Sequence, residues 1–66
     1  MRVVINGKEF TYQEPKSIKE ILKELKIEDK VMAAAVNMEI VKKENWDNFR
    51  VKDGDRVEFL HFVGGG

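Results

Sequence analysis

A chain of 66 residues has room for one domain with one small core, near the lower size at which burial outweighs chain entropy without covalent staples. It contains no cysteine, which excludes disulfides, thiolate metal sites and cysteine nucleophiles. Its 12 basic and 12 acidic residues cancel, so no net field draws it to nucleic acid or anionic lipid, and no apolar run approaches the roughly 20 residues of a membrane span.

Two short runs, Arg2-Val3-Val4-Ile5 and Lys8-Glu9-Phe10-Thr11-Tyr12, flank Asn6-Gly7. Both loop residues tolerate the positive φ of a type I′ turn, so the pattern predicts a tight hairpin. A two-residue loop sets the register. Ile5 then faces Lys8, Val4 faces Glu9 and Val3 faces Phe10, which gathers Val3, Ile5, Phe10 and Tyr12 on the core side.

Pro15 ends the second strand, and Ser17-Ile18-Lys19-Glu20 has the form of a capping box that opens a helix. Ile18, Ile21, Leu22 and Leu25 follow at helical spacing and form one apolar stripe to lay on a sheet. No glycine marks its end, and Ile27 to Lys30 reads as a short connection. Val31 to Asn37, rich in alanine but bounded by valines, is predicted as a third strand with small residues under the helix. Met38-Glu39 is expected as the next turn and Ile40-Val41 as a short return strand. An irregular segment from Glu44 to Phe49 would plug the core edge with Trp46 and Phe49. Asp53-Gly54-Asp55 is a turn signal, and Arg56 to Val63 alternates as a last strand.

Strand, strand, helix, strand, short strand, strand implies an α+β domain over residues 1–63, a mixed sheet with one main helix across one face. The helical crossover lets the first and last long strands pair in parallel at the centre, which is a β-grasp. In the last strand Val57 and Phe59 would face the helix. Leu60 and Phe62 then form an exposed apolar pair, the kind of patch that marks a partner site.

The chain stops on Gly64-Gly65-Gly66, directly after that strand and with no polar linker between. Without Cβ atoms, residues 64–66 make a flexible tail slim enough to enter a channel that any side chain would block. Catalytic constellations are missing by contrast. His61 is the single histidine, Glu44, Asp47, Asp53 and Asp55 fall at predicted turns, and neither a phosphate-binding loop nor a metal-ligand pattern occurs. The chain is therefore expected to be acted upon rather than to catalyse, with the Gly66 carboxylate as its reactive group.

These stretches together resemble the ThiS family of small ubiquitin-like sulfur carriers. The likeness runs through Val3-Val4-Ile5-Asn6-Gly7, Ser17-Ile18 with Ile21-Leu22, Val36-Asn37, Ile40-Val41 with Trp46, Asp53-Gly54-Asp55 and Phe62-Val63-Gly64-Gly65-Gly66. The chain departs from the family where Asn37-Met38 and Lys42-Lys43 stand in place of an Asn-Gly and a Pro-Arg pair. The resemblance implies that an adenylyltransferase of the ubiquitin-activating type, using ATP and Mg, adenylates Gly66. A sulfur donor protein would then supply the sulfur of a thiocarboxylate, and thiazole synthase would take it for thiamine biosynthesis. Gly64 and Gly65 would thread the partner channels, and Leu60 and Phe62 would bind the partner. No cofactor or metal is expected on the chain itself, and the expected location is the cytoplasm. The small subunit of molybdopterin synthase and a ubiquitin-like modifier or interaction module are the alternative readings.

Overall fold

The computed structural model describes residues 1–61; Phe62, Val63, Gly64, Gly65 and Gly66 lie outside the described residues. Strands β1 (Arg2–Ile5) and β2 (Lys8–Thr11) form the expected hairpin, with Val3 opposite Phe10, Val4 opposite Glu9 and Ile5 opposite Lys8. Asn6 and Gly7 take φ of 51° and 81°, the left-handed pair that matches the strand twist. Val3 and Ile5 are buried, and Phe10 and Tyr12 stack in parallel at 6.3 Å beside them.

A two-residue strand β3 (Lys16–Ser17) runs into helix α1 (Ile18–Leu25). Ser17 Oγ accepts from the Glu20 amide at 3.1 Å, and the Ser17 amide donates to Glu20 Oε1 at 2.8 Å, completing the capping box. The other free amides of the first turn also find acceptors: Ile18 N–H donates to the Phe49 carbonyl and Lys19 N–H to the Trp46 carbonyl, both at 3.1 Å. At the far end Lys26 adopts φ 61°, and its amide donates to the Leu22 and Lys23 carbonyls. The chain stops its helix here without glycine, because those two bonds offset the roughly 1–2 kcal/mol that a left-handed residue with a Cβ costs.

The box makes α1 sensitive to acid. Donation from the Ser17 amide holds the Glu20 carboxyl below its ordinary pKa of 4.5. A depressed folded-state pKa means that the contribution is complete above that value and is lost as pH falls through the lower, folded one. Thermal midpoints measured from pH 7 to pH 3 should fall less for Glu20→Gln than for the unaltered chain below pH 4.5. Ser17→Ala should cost about 1 kcal/mol at pH 7 in urea titration.

Strands β4 (Val31–Val36) and β5 (Glu39–Val41) pair with Val36 opposite Glu39. The turn between them is therefore Asn37-Met38, one residue earlier than the sequence predicts. Asn37 has φ 51° and Met38 φ 72°, so this methionine sits where glycine would carry no steric cost. Asn37 holds the turn by its side chain: Oδ1 accepts from the Arg56 amide at 2.9 Å, and Nδ2 donates to Asp55 Oδ1 at 3.0 Å.

A single 3₁₀ turn (Lys43–Asn45) leads to Trp46, which is buried and donates Nε1–H to the Val41 carbonyl at 2.8 Å. The expectation for Phe49 is corrected: its ring is 37% exposed, and the residue serves the fold through the carbonyl that receives Ile18. Strand β6 (Arg50–Val51) pairs antiparallel with β3 in a small second sheet that the sequence pattern does not reveal, since two residues show no period. Strand β7 (Arg56–His61) completes the chain as described.

The main sheet has the order β2-β1-β7-β4-β5, with β1 and β7 parallel in the middle and the other pairs antiparallel. Ile18, Ile21 and Leu22 pack with Val3, Ile5, Val31, Ala34, Val36, Val57 and Phe59 in one core between helix and sheet. This is the mixed-sheet, one-helix β-grasp. Because one helix covers only one face, the other face of the sheet meets water.

Candidate functional site

The central strand β7 is split by its pleat. Val57 and Phe59 are buried toward the helix, while Glu58 and Leu60 point the other way and Leu60 is 59% exposed. Register then brings the rest of the open face together. Ala33 lies opposite Leu60, and Ala35 lies opposite Glu58 on one side and Ile40 on the other. Two alanines between Leu60 and Ile40 leave a shallow depression of about 370 Å³, also lined by Asn6 and Glu58.

Ile40 is 72% exposed and belongs to this patch as much as Leu60 does. The sequence did hold a signal for it, since Val41 is core and its neighbour on a strand must face outward. A larger groove runs along the β5 edge past Lys42, Glu44, Asn45, Asn48 and Phe49. It is more polar and does not touch β7, whereas the smaller apolar depression is lined by Glu58, Phe59 and Leu60 of that strand. Of the residues singled out from sequence, Leu60 is thus placed on the open face, and Phe62, Gly64, Gly65 and Gly66 lie outside the described residues.

The edge of this patch nearest β1 is held by an amide rather than a strand. Asn6 Oδ1 accepts from the Phe59 amide at 2.8 Å, taking over where β1 ends. Asn6 is therefore both a turn residue and a bracket for β7, and only the first role is visible in sequence.

Titration is perturbed away from this face. Burial raises the Tyr12 phenol, helped by Glu24, and a 2.7 Å bond with Glu24 raises Lys16. Lys16 Nζ, paired with Glu24 on the helix, also lies 5.8 Å from the centre of the Tyr12 ring and so links α1 to the end of the β1–β2 hairpin. Among the described residues no group of three or more His, Cys, Asp or Glu side chains could hold a metal ion. The open face offers shape and apolar area to a partner, with charge supplied by Glu58.

A model of the ThiS family matches residues 3–66. The chain belongs to the ThiS family. The ThiS sulfur carrier protein of Bacillus subtilis is 33% identical over 63 residues, which are 94% of this chain and 96% of that protein. A thiazole synthase of Paramagnetospirillum magneticum is 36% identical over 66 residues, all of this chain but 20% of that protein, so the chain spans one fifth of its length. In structure, the thiamine biosynthesis protein ThiS of Geobacter metallireducens superposes with a TM-score of 0.83 at 40% identity, covering 100% of both chains. The ThiS fold is thus the one described above, and its family match continues through the three glycines.

Proposed function

We propose that this chain is a sulfur carrier of thiamine biosynthesis and that its working group is the α-carboxyl of Gly66. The carrier role is the one for which its near full-length ThiS relative is named. One observation supports the terminal glycine: the family match extends to residue 66. A carboxylate is resonance-stabilised and resists attack, so a partner adenylyltransferase would first join it to the α-phosphorus of ATP and release pyrophosphate. The terminal sulfur of a donor persulfide then attacks the carbonyl carbon and AMP departs with the bonding pair. A thiol cleaves the resulting sulfur–sulfur bond, which leaves the thiocarboxylate. ATP, Mg and the groups that hold them belong to the partner.

Thiazole synthase is the proposed acceptor. Its support is the relative of that name, in which a segment similar to this whole chain is part of a polypeptide five times as long. Docking would use the open face around Leu60 and Ile40, so that recognition rests on the sheet and chemistry on the tail.

Intact-mass measurement after incubation with the adenylyltransferase, ATP, Mg and a persulfide source tests the reading. Exchange of one terminal oxygen for sulfur is expected; conjugation to a lysine would instead make the chain a modifier, and an unchanged mass would refute the carrier. Leu60→Asp should leave the thermal midpoint in place, since the side chain is 59% exposed. It should raise KM for adenylation about tenfold, equivalent to about 1.4 kcal/mol of docking.

A further inference from the structure

The middle strand of the sheet carries a carboxylate that its own chain leaves without a counter-charge. Glu58 sits on β7 between the buried Val57 and Phe59 and is itself exposed on the open face. Glutamate is depleted in strands, where its side chain gains little from packing on a pleated surface. Carboxylates that serve the fold have partners on the chain: Glu9 pairs with Arg2 and Glu24 with Lys16, while Glu20, Asp53 and Asp55 accept from backbone amides. Among the described residues Glu58 forms no ion pair, although Arg56 stands two residues earlier on the same face.

Its surroundings are apolar. Ala35 lies directly opposite on β4, Ala33 and Leu60 form the next outward pair, and Ile40 lies beyond Ala35. All of them line the depression of about 370 Å³ that Glu58 shares, with Asn6 on the β1 side. In the free chain water solvates the carboxylate. A partner that covers the depression strips that water, and an ionised carboxylate buried without a counter-charge costs more than the apolar contacts beside it return. A wholly apolar partner surface is therefore rejected and an acidic one repelled, whereas a cation set among apolar side chains satisfies both parts of the face. We infer that Glu58 determines which partner the open face accepts, and that the accepted surface presents a cationic side chain, ringed by apolar ones, to this carboxylate. Arginine fits best, because a flat and weakly hydrated guanidinium lies readily on small apolar side chains while its fork meets both carboxylate oxygens. This rests on the proposed function, in which the adenylyltransferase docks on this face, and adds the charge by which that partner is recognised.

Calorimetric titration of the adenylyltransferase with each variant, without ATP, tests docking alone. Glu58→Gln keeps the shape and removes the charge, and its Kd should rise about tenfold. Glu58→Leu should weaken binding further, because leucine offers the buried cation no acceptor at all. Asp29→Asn makes the same change in net charge within the connection after α1 and should leave Kd within about twofold. In adenylation all three should keep kcat at saturation within about twofold. Thermal midpoints should stay in place, since Glu58 and Asp29 are both exposed.

Tighter binding by Glu58→Leu overturns the inference, because it identifies an apolar partner surface. Unchanged Kd in Glu58→Gln overturns it as well, and so does an equal loss in Asp29→Asn, which would assign the effect to net charge. A dimer of the unaltered chain in sedimentation equilibrium that Glu58→Gln abolishes would give the carboxylate to Arg56 of a second copy and reject the inference too. Where the unaltered chain binds the adenylyltransferase but is not adenylated, the proposed function fails while the Kd series still decides the role of Glu58. Where it does not bind, both fail.

Discussion

Gly66→Val is expected to reduce adenylation at least about 100-fold in kcat/KM, near 3 kcal/mol of lost transition-state stabilisation. The branched Cβ stands next to the carbon that must be attacked, and it removes the backbone freedom that lets a glycine terminus take up whatever φ a narrow channel requires. Gly65→Ala should have a smaller effect, about tenfold, because one methyl one residue back obstructs entry but not attack. Glycine has no side chain to lose from a core, so both variants should melt with the unaltered chain. ATP–pyrophosphate exchange with the adenylyltransferase measures the first effect and calorimetry the second. Full exchange activity in Gly66→Val would show that the channel admits a branched side chain and would remove the requirement for glycine at the terminus.

Trp46→Ala is the substitution expected to damage the fold most. The indole is 3% exposed, and loss of a buried aromatic costs about 3–5 kcal/mol. Its Nε1–H also satisfies the Val41 carbonyl at the end of β5. For a domain of this size, total stability is of the order of 3–10 kcal/mol, so the loss is about a third of it or more, and the urea midpoint should fall by at least that share. Trp46→Phe restores much of the volume and leaves the carbonyl without its donor, so it should cost about 1–3 kcal/mol. If the alanine variant unfolds at the same urea concentration as the unaltered chain, the indole is not the plug that its burial indicates.

Residues 46–49 show why the core edge is more than packing. Trp46 and Phe49 supply carbonyls to the first free amides of α1, and β6 follows at once to pair with β3 at the entrance of the same helix. Sequence pattern assigns the segment to the core through its two aromatic side chains. One of them, Phe49, acts through its backbone while its ring remains partly exposed. Nothing in composition or periodicity separates those roles, because both give an aromatic residue near an apolar cluster.

What the chain determines by itself is whatever depends on neighbours within a few residues. The Asn6-Gly7 hairpin, the Ser17–Glu20 box, the helical stripe from Ile18 to Leu25 and the outward turn of Leu60 all follow from local dihedral preference and period. The proposed role of Gly66 likewise rests on the glycine run in the sequence. Tertiary structure alone decided the bracket from Asn6 to Phe59, the lock of Asn37 on Asp55 and Arg56, and the register shift in β4 between Val31 and Ala33, which leaves Val31 buried and Met32 exposed. Each of these depends on which polar group or strand residue arrives opposite from a distant part of the chain. That is a question of register between strands, and a one-residue slip in register exchanges the inside of a sheet for its outside.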